Sequence, residues 1–150
     1  MRATFRPLEA EHIPKVLSMM SRLYAQDAIP WNQELSRKAI AGLLASPDSG
    51  GTWLIQADGV TAGYLVLTIC FSLEFRGRYA LLDEFFVEEA WRGQGLGSQA
   101  LRFAEEQSRA YGVMAMRLEV DELNVPAQKL YRRNGFERHD RDVMTKWLSS

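Results

Sequence analysis

Apolar residues recur along the chain with two different spacings, and these spacings divide it into predicted helices and strands. Between residues 13 and 24 the apolar positions are three or four residues apart, which is typical of one face of an amphipathic helix. They are Ile13, Val16, Leu17, Met20, Leu23 and Tyr24. A second helix is predicted after Asn32, a residue type favoured at the N-cap, and it ends near Pro47.

Strand-forming residues dominate four segments of the first 87 residues: 4–8, 52–57, 61–71 and 79–87. The second and third are rich in β-branched and aromatic side chains, which favour extended structure. Asp58 and Gly59 separate the second segment from the third, and this dipeptide is a strong signal for a two-residue hairpin turn. The second and third strands are therefore predicted to pair antiparallel.

The second half of the chain alternates between the two spacings. A glycine-rich segment, 92–97, leads into a third helix that ends at Gly112, and a strand is predicted over 116–120. A short helix over Asn124–Asn134 is closed by Gly135, and one or two final strands are predicted over 136–148. The order β α α β β β α β α β β predicts an α/β (α+β) fold with a mixed, mostly antiparallel sheet flanked by helices.

Composition and charge restrict the function. The 150 residues, 47% apolar and 25% charged, predict a single globular domain over residues 1–150. A net charge of -1 gives no global attraction to nucleic acid or to anionic lipid, and the longest apolar stretch, Tyr64–Leu73, is too short to span a bilayer. We therefore expect no nucleic-acid or membrane partner. One cysteine and a polar N-terminus predict a cytoplasmic location, and two histidines predict no metal site.

The glycine-rich segment is the first candidate for chemistry. Glycines let the backbone approach an anion closely, and unpaired N–H groups at a helix N-terminus point at it. The alternative is a tight turn without a ligand. A dinucleotide fingerprint requires a third glycine at position 98, which is Ser98, and the Gly-Lys-Ser/Thr of a nucleotide P-loop is absent from the sequence. What remains is the pattern Arg/Gln-x-x-Gly-x-Gly/Ala, matched by Arg92, Gly95 and Gly97.

With a second motif downstream, the chain resembles the GCN5-related N-acetyltransferase superfamily. Residues 124–136 are similar to the superfamily pattern Asn-x-x-Ala-x-x-Leu-Tyr-x-x-x-Gly-Phe. The resemblance implies an enzyme that uses acetyl-CoA as co-substrate, bound between the strand over 79–87 and the strand over 116–120. The cofactor-binding residues that it implies are Phe86, Val87, Arg92, Gly93, Gln94, Gly95, Leu96, Gly97, Ser98, Asn124, Ala127 and Arg133. Among them, the backbone N–H of Val87 would polarise the thioester carbonyl.

The resemblance also gives Tyr131 a catalytic role. A departing thiolate is best protonated by a weak acid near the sulfur, and a phenol with a pKa of about 10 is suited to this. From spacing alone, Tyr131 packs with Ala127 and Leu130 on the apolar side of a short helix. The resemblance instead implies that Tyr131 is the general acid.

A general base is also required, because an amine acceptor is mostly an ammonium at neutral pH. The candidates are Asp83 and Glu84 on the strand before the glycine-rich segment and Glu119 on the strand before the Tyr131 helix. Strand alternation sends Asp83 and Glu84 to opposite faces unless a bulge intervenes. The choice among the three carboxylates stays open. Together with Asp121, they predict a cationic acceptor, the primary amine of a small molecule or a peptide.

The acceptor pocket and the alternatives are less defined. Tyr24, Trp31 and Phe71 are candidates to line the pocket. A non-catalytic domain of the same fold that senses acyl-CoA is the alternative function, although such a domain is expected to have lost Tyr131 or the glycine-rich segment. The sequence leaves open the identity of the amine, the length of the acyl group and whether the chain forms a homodimer.

Overall fold

A computed structural model describes residues 1–149 and contains five strands and four α-helices within that range. Their bounds are β1 Ala3–Pro7, α1 Ile13–Gln26, α2 Gln33–Leu44, β2 Gly50–Ala57, β3 Val60–Ser72, β4 Gly77–Val87, α3 Leu96–Ala110, β5 Met116–Arg117 and α4 Val125–Arg133. Short 3₁₀ turns precede α1, β2 and the glycine-rich segment.

The strands form one sheet in the order β1-β2-β3-β4-β5. The pairs from β1 to β4 are antiparallel, and β5 pairs parallel to β4 over only two residues. Asp58 and Gly59 connect β2 to β3 with φ values of 50° and 73°, both left-handed, as a type I′ hairpin turn requires. The predicted hairpin is therefore confirmed.

Two apolar clusters lie on opposite faces of this sheet. Side chains of α1 and α2 pack with Leu54, Tyr64 and Val66 on one face, and side chains of α3 pack with Leu65 and Leu67 on the other. Successive residues of β3 thus enter opposite clusters, as the alternation of a strand requires. Because both faces of β3 are buried, this strand is the centre of the core, and β4 lies directly beside it.

Asparagines fix the beginnings of two helices. The side-chain oxygen of Asn32 accepts a hydrogen bond of 3.0 Å from the N–H of Leu35, and that of Asn124 accepts one of 3.2 Å from Ala127. Each satisfies a donor that has no partner within its helix. The N-cap predicted at Asn32 is confirmed, and Asn124, the predicted first residue of the last helix, is the N-cap of α4.

The predicted class of fold and its order of elements through α4 are confirmed, whereas the terminal strands predicted over 136–148 are wrong: the structure contains no strand in that segment. Residues 137–142 are all charged or histidine, so they offer no apolar face, and ion pairs anchor them instead. These pairs join Arg138 to Glu122 and Arg141 to Glu74. Beyond them the apolar side chains Val143, Met144, Trp147 and Leu148 do not alternate and are exposed.

Strand β5 is also shorter than the predicted segment 116–120, since it ends at Arg117. Glu119 consequently lies beyond the strand rather than on it. None of the helices within residues 1–149 has both the length and the apolar character that crossing a membrane requires.

Candidate active site

The sheet opens between β4 and β5. The two strands pair only where Ala80 meets Met116 and Leu81 meets Arg117, so the end of β4, residues 83–87, has no strand partner on the edge that faces β5. Backbone N–H and C=O groups on the other edge are therefore available to a ligand, because they are not used by the sheet. This groove is where the resemblance places the cofactor.

A β-bulge at Asp83 changes which backbone groups face the groove. Val66 pairs with Glu84 and Leu67 with Leu82, so Asp83 has no partner on β3. The N–H of Ala80 donates toward β5, to Ala115, whereas the N–H of Glu88 donates toward β3, to Ala62. Residues an even number apart normally face the same edge, so the extra residue has reversed the alternation.

Beyond the bulge, the alternation directs the N–H and C=O of Val87 into the groove. The carbonyl of Val87 accepts a hydrogen bond of 2.8 Å from Nε of Arg92. The main chain of Phe86 faces β3: a Cβ built on Gly63 would lie 2.1 Å from the Phe86 carbonyl oxygen. The Phe86 side chain is buried beside Tyr64. The geometry thus leaves Phe86 in the core and makes Val87 the backbone donor at the groove.

The glycine-rich segment has the features of an anion site. Within residues 1–149, the backbone N–H groups of residues 93–98 have no hydrogen-bond acceptor, and the first donor of α3 that has one outside the helix is Gln99. Gly93 and Gly95 have φ values of 74° and 82°, and no atom lies within 4 Å of a Cβ built on either. Unpaired donors, open space and the positive end of the α3 dipole suit a phosphate or diphosphate.

Side chains around this segment hold it in place. Arg92 donates to Val87 and also to the Gln26 side chain at 3.0 Å, and its guanidinium lies 5.5 Å from the centre of the Phe86 ring. Gln94 donates to the carbonyl of Ala90. Arg92 therefore joins the segment to the end of β4 and to α1. Leu96 contributes a buried side chain to the α3 cluster.

Helix α4 forms the opposite wall of the groove. A Cβ on Gly97 would meet the Leu130 side chain at 2.9 Å, and Asn134 donates to the Ser98 hydroxyl at 3.3 Å, so α4 packs directly on the start of α3. Tyr131 lies on the same helix and packs edge-on against Phe136. Arg133 is exposed in the last turn of α4, and Ala127 is half-buried in the first.

Two acids project from β4 near the opening of the groove. Glu84 is largely enclosed: its Oε2 accepts a hydrogen bond of 2.5 Å from the Tyr24 hydroxyl, and its Oε1 accepts one of 2.8 Å from Tyr64. Burial raises the pKa of Glu84, the two tyrosine hydrogen bonds oppose that rise, and the Asp83 charge adds to it.

Asp83 differs from its neighbour. The Asp83 side chain is accessible to solvent, yet protein atoms surround it on several sides, as in an open concave site. This partial burial raises the pKa of Asp83, and the charge of Glu119 raises that pKa further. The sequence predicted that Asp83 and Glu84 would point to opposite faces of the sheet unless a bulge intervened, and the structure contains such a bulge. Asp83 acts electrostatically on Glu84, Tyr24 and Tyr64 together. The structure brings Asp83 and Glu84 into one site, with Glu119 close enough to influence Asp83.

A further acid reaches the α4 wall from α1. Burial and the charge of Asp27 raise the pKa of Tyr131 to about 12, so its phenol stays protonated across the neutral range. Burial and the charge of Asp121 in turn raise the pKa of Asp27, which is the C-cap residue of α1. Asp83 on β4, Glu119 beyond β5 and Asp27 at the end of α1 therefore each act electrostatically on Glu84, Asp83 or Tyr131.

Sequence reasoning missed Asp27 and the role of Tyr64. A tyrosine inside an apolar strand was the available signal, since a buried phenol requires a hydrogen-bond partner. Of the three aromatic candidates, Tyr24 reaches the site and Trp31 packs edge-on against it at 5.3 Å. Phe71 does not: it pairs with Arg78 at the far end of β4 and is 71% exposed.

Within residues 1–149, one group of potential metal donors lies close together: Glu9, Glu11 and His12. Both glutamates are exposed, and the group lies at the beginning of α1, at the opposite end of that helix from Gln26 and the groove. The absence of a metal stays a prediction.

The splayed strands, the unpaired N–H groups at the start of α3 and the acids of β4 lie along one groove, an arrangement that suits an extended, phosphate-bearing ligand. Residues 17–136 match the model of the acetyltransferase (GNAT) family. Because this match covers most of the chain, the protein belongs to that family.

Curated relatives carry related names. The chain is 27% identical over 111 residues to an uncharacterized N-acetyltransferase from Lactobacillus delbrueckii subsp. lactis. This alignment covers 73% of this chain and 64% of the relative. The chain is 36% identical over 69 residues to the uncharacterized N-acetyltransferase YycN of Bacillus subtilis, which covers 46% of this chain and 44% of YycN. The matches thus span less than two thirds of these relatives' own lengths.

Solved structures share the fold. An integron cassette protein from the mobile metagenome of Cole Harbour Salt Marsh is 31% identical, with a TM-score of 0.84 over 97% of this chain and 91% of that one. The aminoglycoside N-acetyltransferase AAC(6')-Iy, solved in complex with CoA, is 18% identical with a TM-score of 0.80 over 99% and 96% of the two chains. At that identity the likeness concerns the fold.

Proposed function

We propose that the chain, acting as one domain over residues 1–150, is an N-acetyltransferase that transfers an acetyl group from acetyl-CoA to the primary amine of a small molecule or peptide. The observation that carries the proposal is the groove. Its open β4 edge runs from the acids of the bulge to the unpaired N–H groups of residues 93–98. An anion site and a proton-accepting site are thereby joined by a strip of unpaired backbone.

Acetyl-CoA, when bound, supplies an activated thioester. The backbone N–H groups of residues 93–98 would hold its diphosphate, with Ser98 at the α3 wall and with Asn124, Ala127 and Arg133 on the α4 side. The N–H of Val87 lies where a carbonyl oxygen could accept from it, and such a fixed donor contributes most when negative charge develops on that oxygen. Arg92 fixes the position of the glycine-rich segment relative to Val87 through its hydrogen bond to the Val87 carbonyl.

The acceptor reacts as a free amine, so an ammonium must first lose a proton. Asp83, Glu119 and Asp27 surround the opening with negative charge, which attracts a cation. Glu84 accepts the proton, because hydrogen bonds fix its two oxygens. Its raised pKa also lies closer to the pKa of the ammonium that gives up the proton. Tyr131, protonated below about pH 12, donates a proton to the departing thiolate. The amine attacks the thioester directly in a ternary complex.

The proposal is tested first by cofactor binding and thiol release. Millimolar acetyl-CoA is expected to raise Tm, since a ligand that binds only the folded state stabilises it. Free thiol is then measured against a panel of polyamines, amino sugars, amino acids and peptide N-termini. Binding without thiol release for any amine would favour an acyl-CoA sensor, and the absence of any Tm shift would reject both functions.

A matched pair of glycine variants tests the anion site. Gly93 and Gly59 have φ values of 74° and 73°, and both have open space around a Cβ. Gly93→Ala and Gly59→Ala should therefore cost a similar free energy of unfolding, about 1–2 kcal/mol. Only Gly93→Ala is expected to weaken acetyl-CoA binding, by about tenfold or more. Equal binding by the two variants would favour the plain turn.

A further inference from the structure

Two tyrosines from different elements meet at one carboxylate. Tyr24 comes from the last turns of α1 and Tyr64 from the middle of β3, and they bond to different oxygens of Glu84. A carboxylate held at both oxygens cannot rotate without breaking a hydrogen bond. Each phenol donates its proton to Glu84, which accepts with both oxygens, and these two bonds favour the ionised form of the carboxylate.

The surroundings maintain this arrangement. Tyr64 is fully buried in the α1–α2 cluster, and Trp31 packs edge-on against Tyr24. Burial raises the pKa of both phenols far above the neutral range, as do Glu84 and Asp83. Both tyrosines therefore remain donors at every pH at which the protein could work.

The groups that face Glu84 are few. Tyr24 faces it from α1, Tyr64 from β3 and Asp83 from its own strand, and Glu119 acts on Asp83. Burial, two donors and one like charge together thus set how readily Glu84 takes up a proton. Removal of a donor should make the carboxylate a weaker acid, whereas removal of Asp83 should make it a stronger one.

We propose that Tyr24 and Tyr64 are positioning residues that hold the Glu84 carboxylate ionised and in one orientation toward the acceptor side of the groove. They act through Glu84 and need not touch the substrate. This inference rests on the proposed function, in which Glu84 accepts the proton of the amine. It adds two residues that neither motif of the sequence contains.

The experiment compares Tyr24→Phe, Tyr64→Phe and the control Tyr79→Phe. Tyr79 lies on β4, the strand that carries Glu84, and its hydroxyl makes no hydrogen bond within residues 1–149. The control therefore removes a phenol oxygen that does not contact Glu84. Tyr24 is only half-buried, so its variant should fold even if Tyr64→Phe does not. The Glu84 pKa is measured by NMR on protein labelled with ¹³C at the glutamate carboxyls, with Glu84→Gln used to assign the signal.

Each phenylalanine variant at the site is expected to raise the Glu84 pKa by about one unit and to move the acidic limb of the pH profile of kcat/KM upward by the same amount. Tyr79→Phe should change neither. An unchanged Glu84 pKa in Tyr24→Phe would overturn the inference without any measurement of turnover. A shifted pKa with an unmoved acidic limb would overturn the catalytic part, whereas failure of the unmodified protein to transfer acetyl to any amine would count against the proposed function instead.

Discussion

The two halves of β4 differ in what lies along their second edge. Residues 77–82 pair with β3 on one side, and Ala80 and Leu81 also pair with β5 on the other. The buried side chains of this half, Ala80 and Leu82, belong to the core. Residues 84–87 pair with β3 alone, Asp83 is bulged out of that pairing, and the segment 83–87 includes both acids of the site. One strand thus contains a stabilising half and a half with unpaired backbone and charge, and the bulge at Asp83 is the boundary.

This comparison shows where the fold tolerates unfavourable groups. A carboxylate surrounded by protein and a backbone edge without partners both lower stability, and they are found where the first half of the strand and all of β3 already secure the core. Substitutions on either side of the bulge should therefore separate stability from function.

The largest expected effect is on stability, from Leu82→Ala just before the bulge. The Leu82 side chain is 6% exposed and packs in the α3 cluster, so its loss should lower the free energy of unfolding by about 2–5 kcal/mol. Acetyl-CoA affinity of the folded fraction should change little. Chemical denaturation measures the first and calorimetric titration the second. A loss of affinity with unchanged stability would contradict the division of the strand.

Tyr131→Phe tests the wall that faces the functional half. It removes a proton donor needed mainly as the thiolate departs, so kcat should fall about 100-fold while acetyl-CoA affinity stays within about twofold. Steady-state kinetics and titration measure the two values. Unchanged turnover would show that Tyr131 is not the general acid and that it only packs in the core, as its contact with Phe136 also suggests.

The same comparison explains how far the sequence could be interpreted. Periodicity located every element as far as α4, because each buries one face or one stripe, and Asn32, Asp58 and Gly59 marked boundaries through local hydrogen bonding and backbone conformation alone. The terminal strands were wrongly predicted because Val143, Met144, Trp147 and Leu148 are apolar, yet all four are exposed in the structure.

The site was harder to predict than the fold. The glycine-rich segment and Tyr131 lie in contiguous motifs, which a sequence reveals. Tyr64 and Asp27 reach the groove from 20 and more residues away in the chain, and only the packing of α1 and β3 on β4 brings them there. The bulge at Asp83 likewise depends on the register with Val66 and Leu67, which no local pattern in β4 encodes.

Glu84→Gln should lower kcat/KM for a primary amine by about 100-fold at neutral pH, because the proposed base is lost, and part of the loss should be recovered at alkaline pH, where free amine forms without help. The raised pKa of Tyr131, about 12, keeps the general acid protonated throughout such a titration. Glu119→Gln removes a charge without touching Glu84 and should cost about tenfold or less. A larger loss in Glu119→Gln, with alkaline recovery, would transfer the role of base to Glu119.

The smallest expected effect is a gain of stability from Asp83→Asn. Burial and Glu119 raise the folded-state pKa of Asp83 above its unfolded value, so folding favours the protonated form. The destabilisation that results is absent below the unfolded pKa and develops as pH rises through the folded pKa. Asp83→Asn should therefore raise Tm slightly at pH 7, and the difference from the unmodified protein should vanish toward pH 3.

Asp58→Asn serves as the control for charge removal, since Asp58 lies in the β2–β3 hairpin turn and asparagine tolerates its positive φ. It should give no pH-dependent gain. Asp83→Asn should at the same time raise KM for cationic amines, because the charge that destabilises the fold is one that attracts the acceptor. If Asp83→Asn lowered Tm at neutral pH, Asp83 would belong to the stabilising half of β4, and the boundary at the bulge would be misplaced.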